Sequence, residues 1–178
     1  MNLCASALAV VLGVALFSLP TISTQREARA EVDIQASPGL VWAILTDFSA
    51  YPIWNPYIYP ARGEARPGEH LEITLHRGRS SETFEATVLT AQPNRELSWS
   101  GRMIGFERIQ TFTIQKVGPR RVRLISRELF RGFLVLTHGQ VANDAQHGLE
   151  MMGRALRDVA EIRAASTPAS EYRLRVVP

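Results

Sequence analysis

Residues 106–130, FERIQTFTIQKVGPRRVRLISRELF, alternate apolar and polar side chains on both sides of a Gly118-Pro119-Arg120 turn. That period of two marks a β-hairpin, in which successive side chains point to opposite faces of a sheet. If Phe112 and Ile114 face an apolar interior, so do Gln110 and Arg108; if Val122 and Leu124 do, so do Ser126 and Glu128. A three-residue turn pairs Ile114 with Leu124 and Gln110 with Glu128, and leaves Arg108 diagonal to Glu128, within reach of a long side chain. Arg108, Gln110 and Glu128 thus stand at one end of an otherwise apolar wall. Charge there is costly unless it is paired, so these groups should contact each other, water or a ligand. The opposite parity carries Arg121, Arg123, Ile125 and Arg127, an outward stripe that reads as a solvated face.

Upstream, Glu31 to Ala36 alternates as a first strand. Ser37-Pro38 reads as an N-cap followed by proline at the first helical position, opening a helix over Gly39 to Thr46. Val41, Trp42 and Leu45 are its expected core face, and Trp54-Asn55-Pro56 makes a second short turn. Strand patterns recur at Tyr57–Arg62, Leu71–Leu75, Phe84–Val88 and Leu97–Trp99, separated by turns at Gly63–Gly68, Gly78 and Pro93-Asn94. Such short connections imply an antiparallel meander. After Gly132 the period changes: Val141, Ala145, Leu149, Met152, Leu156 and Val159 form one helical stripe, predicting a helix from Gln140 to Ala165. Residues 166–178 read as a tail. The order predicts an α+β fold, with a curved antiparallel sheet of six or seven strands, two short helices after the first strand, and a long C-terminal helix as cover. A strongly bent sheet gripping a helix tends to leave a hollow, and that hollow is the candidate site.

The chain has 178 residues, 46% of them apolar, which suits one folded domain and excludes disordered and collagen-like classes. Ala5 to Leu19 is apolar apart from Ser6, Gly13 and Ser18. As a helix it would cover about 22 Å, short of a hydrocarbon core of roughly 30 Å. A polar stretch then ends in Ala28-Arg29-Ala30, with small residues where signal peptidase needs them. Residues 1–30 therefore read as a signal peptide cut after Ala30, and 31–165 as the domain. The alternative is an uncleaved membrane anchor, since Met1 to Cys4 holds no Lys or Arg. Either route exports the domain or tethers it to a membrane. Cys4 alone cannot form an internal disulfide, and no CxxC, HExxH or Cys/His cluster suggests a metal or cofactor. Of the 20 basic residues only Lys116 is lysine, and a net charge of +3 with no aromatic platform gives no case for nucleic acid.

The run SPGLVWAILTDF (Ser37–Phe48), followed by YPIWNP (Tyr51–Pro56), resembles the opening of the polyketide cyclase/dehydrase and lipid-transport superfamily, which includes the START domains and the birch-pollen allergen. LSWSG (Leu97–Gly101), FTI (Phe112–Ile114) and ELFRG (Glu128–Gly132) are similar to later signatures of the group. The resemblance spans Glu31 to Ala165. It implies a helix-grip fold with a hydrophobic cavity between sheet and C-terminal helix. It is specific for fold and poor for function, because the family holds carriers, receptors, cyclases and stress proteins.

Within that frame Trp54, Tyr57 and Trp99 are expected to line the cavity with their polar edges, or else to be ordinary core. Phe112, Met152 and Leu156 supply apolar lining. Arg108, Gln110 and Glu128 are the polar anchor for a mostly apolar ligand, or else a structural ion pair. His138 and His147 flank the start of the long helix and, with His70 and His76, are expected at the surface. No nucleophile-and-base spacing accompanies them. The expected function is an exported binding or transport protein for a small hydrophobic molecule, such as a lipid, quinone or polyketide-like compound. The alternative is a cyclase or dehydratase in which Glu128 or a histidine is general base and Arg108 steadies an enolate. A membrane is a partner only through an uncleaved N-terminal segment.

Overall fold

The computed structural model describes residues 25–77, 80–103, 105–136 and 140–166. In chain order it runs β1 (Gln25–Ile34), α1 (Pro38–Thr46), a 3-10 turn (Phe48–Ala50), α2 (Tyr51–Trp54), β2 (Ile58–Arg62), β3 (His70–Arg77), β4 (Ser80–Gln92), β5 (Glu96–Met103), β6 (Phe106–Gly118), β7 (Arg121–Arg131), a second 3-10 turn (Phe133–Leu136) and α3 (Val141–Ser166). The seven strands form one antiparallel sheet in the order β1-β7-β6-β5-β4-β3-β2, curled into a half-barrel around α3. This is the helix-grip α+β arrangement. Residues 1–24 of the expected signal segment, the turn at Gly78, His138 and the tail beyond Ser166 lie outside the described residues, while residues 25–30 of that segment belong to β1.

The hairpin sets the register of the inner wall. Ile114 pairs with Leu124 and Gln110 with Glu128, while Arg108 stands opposite Phe130 and so diagonal to Glu128. The turn itself is tighter than the sequence suggests. β6 continues to Gly118, with a register shift at Val117, and only Pro119 and Arg120 connect the strands.

Three other expectations change. β1 starts at Gln25 rather than Glu31 and ends at Ile34, pairing residue by residue with β7 from Gln25–Arg131 to Ile34–Val122. Its inward positions here are Ala28 and Ala30, too small to mark an apolar alternation, yet Ala28 is buried. The second short helix is Tyr51–Trp54, and Asn55 ends it. In α1, Ser37 Oγ accepts from the Leu40 N–H at 3.3 Å as the cap requires, but the buried face is Val41, Ile44 and Leu45. Trp42 is only partly buried, because a residue 100° round from Val41 leaves the i, i+3, i+4 stripe.

α3 lays Val141, Ala145, Leu149, Met152, Leu156 and Ala160 on the sheet, with Val159 half-buried. Fully burying a Leu or Met side chain contributes roughly 1.5–3 kcal/mol, so this stripe is what closes the half-barrel. Two glycines on the same face differ in purpose. A Cβ at Gly148 would sit 2.3 Å from the Tyr57 ring, so the ring lies directly on the helix backbone; a Cβ at Gly153 would meet Val32 Cγ1 at an ordinary 3.4 Å. On the outer face the arginine stripe is laced to β1. Arg121 and Arg123 both hold Asp33, the latter at 2.7 Å, and Arg127 holds Glu27 at 2.8 Å. His70 and His147 are exposed, and His76 rests edge-on against Tyr59 with ring centroids 5.1 Å apart.

Candidate functional site

The site starts from the loop that follows α2. Asn55 Oδ1 accepts from the N–H groups of Tyr57 and Ile58, both at 3.0 Å, a side-chain turn that reverses the chain into β2 and directs Tyr57 inward. The Tyr57 ring packs on Gly148, and its hydroxyl donates to Glu128 Oε2 at 3.1 Å. Tyr57 therefore bridges the helix and the strand opposite it.

Glu128 Oε1 lies 2.8 Å from Arg108 Nε, and both side chains are almost wholly buried. The guanidinium sits between two rings, 5.1 Å from the centroid of Phe84 and 5.3 Å from that of Phe130, and its Nη2 is 3.9 Å from Glu82. Aromatic faces and a carboxylate together offset the desolvation of an arginine held at about 4% exposure. Gln110 Nε2 donates to the Arg127 carbonyl at 3.0 Å, so it braces the strand pair instead of joining the ion pair.

The structure thus brings together Tyr57, Arg108 and Glu128, with Gln110 beside them. Trp99 and Phe112 form a separate aromatic cluster: Trp99 meets Phe112 at 5.3 Å and Phe48 at 6.1 Å. Met152 and Leu156 are buried on the facing side of α3. Trp54 is partly buried and packs edge-on against Tyr51 at 5.0 Å. Its Nε1, like Asn55 Nδ2, is a buried donor with no hydrogen-bond partner among the described residues. Burial pushes the Tyr51 hydroxyl pKa far up, and that hydroxyl donates to the Leu45 carbonyl at 2.6 Å. It is a structural proton, not a catalytic one.

Sequence reasoning missed Glu82, Phe84 and Phe130 around the guanidinium, and Gly148 beneath Tyr57. Glu82 and Phe84 share the inward parity of Ala86 and Val88, so β4 carried their signal. Gly148 carried none, since a helical glycine has no pattern of its own. Among the described residues no three His, Cys, Asp or Glu side chains converge as metal ligands would.

A recess opens between β1, β7 and α3. It measures about 160 Å³ and is walled by Ala30, Val32, Leu124, Leu149 and Gly153, with Ser126 on the inner face and Glu31, Glu150, Arg154 and Arg157 around it.

A curled sheet closed by one amphipathic helix, with a polar cluster set into an apolar inner wall, defines a helix-grip protein. The chain belongs to the polyketide cyclase/dehydrase and lipid transport family, whose model matches residues 25–161. Among solved structures it is similar to a START superfamily protein from Mycobacterium smegmatis, at 25% identity and a TM-score of 0.65, covering 77% of this chain and 98% of that one. It is also similar to the Zhui aromatase/cyclase from Streptomyces sp. R1128, at 19% identity and a TM-score of 0.61 over 81% of this chain and 99% of that one. Norcoclaurine synthase from Thalictrum flavum shares the fold at 11% identity and a TM-score of 0.59, over 79% and 97% of the two chains. Curated proteins give no significant sequence match.

Proposed function

We propose that this protein is an exported carrier that holds a small hydrophobic molecule, lipid-, quinone- or polyketide-like, between the sheet and α3. One observation carries the reading: the two ionised groups of the inner wall, Arg108 and Glu128, are engaged with each other and with Tyr57. Glu128 uses one oxygen on Arg108 and the other on Tyr57, at 2.8 and 3.1 Å. A carboxylate held this way fixes the position of a polar end group but is a poor base, because taking a proton would dismantle its ion pair. Burying ligand methylenes at about 0.8 kcal/mol each is enough for micromolar binding by a ten-carbon chain. Export is inferred from the apolar Ala5–Leu19 run alone. Native mass spectrometry of protein purified from its own host tests the carrier. A bound small organic mass that is released on denaturation is expected. Protein that carries none and takes up nothing from lipid extracts would overturn the assignment.

The buried Arg108–Glu128 pair favours a second reading, a cyclase or dehydratase of the kind named among the similar structures. Glu128 would act as base once a substrate drew Arg108 toward an enolate oxygen. Turnover of a poly-β-ketone probe that Glu128→Gln abolishes would support it, and turnover indifferent to that change would exclude it.

A further inference from the structure

We infer that the outer edge of β1 is a surface for pairing with a second copy of this chain, which α3 holds closed through Gln146 and Glu161. The two edge strands of the sheet are β1 and β2. An edge strand offers a row of unpaired backbone groups to any other strand, so folded chains guard it. β2 guards itself: it is five residues long, contains Pro60, and breaks register between Ile58 and Ala61. β1 has ten residues, no proline and no break in its pairing with β7. Its protection comes from the helix.

The Arg29 N–H donates to Gln146 Oε1 and the Gln35 N–H to Glu161 Oε1, each at 2.8 Å. The two amides leave the same edge of the strand, because amide direction alternates along it and these residues share parity. The lengths agree: Gln146 to Glu161 covers about 22 Å of helix, and Arg29 to Gln35 about 20 Å of strand. Gln146 is set in place by its own amide, whose Nε2 donates to Glu150 Oε1 at 2.7 Å and leaves Oε1 to the strand. Midway, Gly153 brings the helix backbone up to Val32. These contacts, 117 and 126 residues apart in sequence, fill the acceptor positions that the carbonyls of a neighbouring strand would take.

The strand also fits itself. An antiparallel pair of β1 strands centred on Ala30 has two-fold symmetry. It sets Arg29 of each copy opposite Glu31 of the other, Ala28 opposite Val32, and Ala30 opposite Ala30. Opposite charges and apolar pairs facing across strands favour pairing. Glu27 would meet Asp33, but Arg127 already neutralises the first, and Arg121 and Arg123 the second. Within one chain Arg29 holds its own Glu31 at 2.7 Å, so pairing exchanges that ion pair and loses none.

Sedimentation velocity and amide hydrogen exchange test the inference on purified chain that retains the whole of β1. The native chain should stay monomeric over a hundredfold range of concentration. Gln146→Ala should speed exchange of the Arg29 amide at least tenfold and leave that of Gln35 unchanged. Gln146→Ala with Glu161→Ala should dimerise, with the Glu31 and Asp33 amides becoming protected at the new seam. Glu161→Gln keeps an acceptor and should remain a monomer. Adding Glu31→Lys to the double variant sets a cation against Arg29 of the other copy and should return it to a monomer. A folded double variant that stays monomeric overturns the inference, as does a dimer that Glu31→Lys fails to break. A native chain already paired at Glu31 overturns it too, since the two contacts would then close nothing. If the double variant does not fold, Gln146→Ala decides alone: a concentration-dependent dimer with a freed Arg29 amide supports the inference, and a monomer overturns it.

Discussion

At the scale of single residues, the Arg108–Glu128–Tyr57 cluster ranks its own substitutions. Arg108→Met leaves Glu128 charged and buried without its cation, a change that costs about 3–5 kcal/mol when such pairs are broken. Tyr57→Phe removes one hydrogen bond to a charged group, worth about 1.5–3 kcal/mol. Replacing both ends of the ion pair, Arg108→Met with Glu128→Leu, should recover most of the first loss, because no uncompensated charge remains. Urea unfolding of the three variants checks the order, and a single Arg108→Met costing under about 1 kcal/mol would show the pair to be solvated. Gly148→Ala belongs to the same site. Alanine gains up to about 1 kcal/mol of helix propensity. Against that, a Cβ 2.3–2.6 Å from the Tyr57 ring forces the kind of overpacking that typically costs 1–3 kcal/mol. Net destabilisation is expected, opposite in sign to the same substitution at Gly153, and thermal melts of the two variants decide it. The ion pair was legible in the sequence because strand parity and a short turn fix which side chains meet. Tyr57 was legible as an inward aromatic but not as the partner of Glu128, 71 residues away, since that contact depends on a glycine of a third element.

At the scale of elements, β1 is where the sequence under-reports the structure. Alternation of large apolar residues is visible from Val32 onward, but Gln25 to Ala30 offers only two alanines to the core, and its pairing is carried by backbone and by charge. The outer side of that pairing is acid-sensitive in a defined direction. Hydrogen bonds from Arg123 and then Arg121 hold the Asp33 carboxyl at about 2, below its ordinary 3.8. A carboxyl whose pKa is depressed by folding adds stability above its unfolded value and loses it as pH falls through the folded one. The stability advantage of the native chain over Asp33→Asn should therefore be full at neutral pH, shrink between pH 4 and 2, and vanish below. It should also shrink in 1 M salt, because the pairs lie on the outer face. Equal stability of the two chains at pH 7 would mean that Asp33 contributes nothing to closing β1 on β7.

At the scale of the whole molecule, the long helix, the meander and the helix as the sheet's cover follow from periodicity, and the helix grip from the family resemblance, while the N-terminal boundary follows from neither. A cut after Ala30 is the strongest processing signal in the sequence, yet it would divide β1. It would remove six of the rungs between Gln25 and Ala30 that pair with β7, bury-side Ala28, the Glu27–Arg127 ion pair and the Arg29 N–H bond to Gln146 on α3 at 2.8 Å. The recess over Ser126 would lose Ala30 from its wall. A leader peptidase acts on extended, accessible chain, and a segment that becomes a paired strand is protected once the domain folds. The cut that preserves the sheet lies upstream of Gln25, where Thr21-Ile22-Ser23 also places small residues at the first and third positions. On the proposed export, the processed chain should therefore begin at or before Gln25, as read by intact mass and N-terminal sequencing. Chains engineered to start at Gln25 should fold cooperatively, and chains starting at Glu31 should melt at a markedly lower temperature or fail to fold. Recovery of a stable exported form whose first residue is Glu31 would show that β7 closes on α3 without the first half of β1, and would return the domain boundary to Ala30.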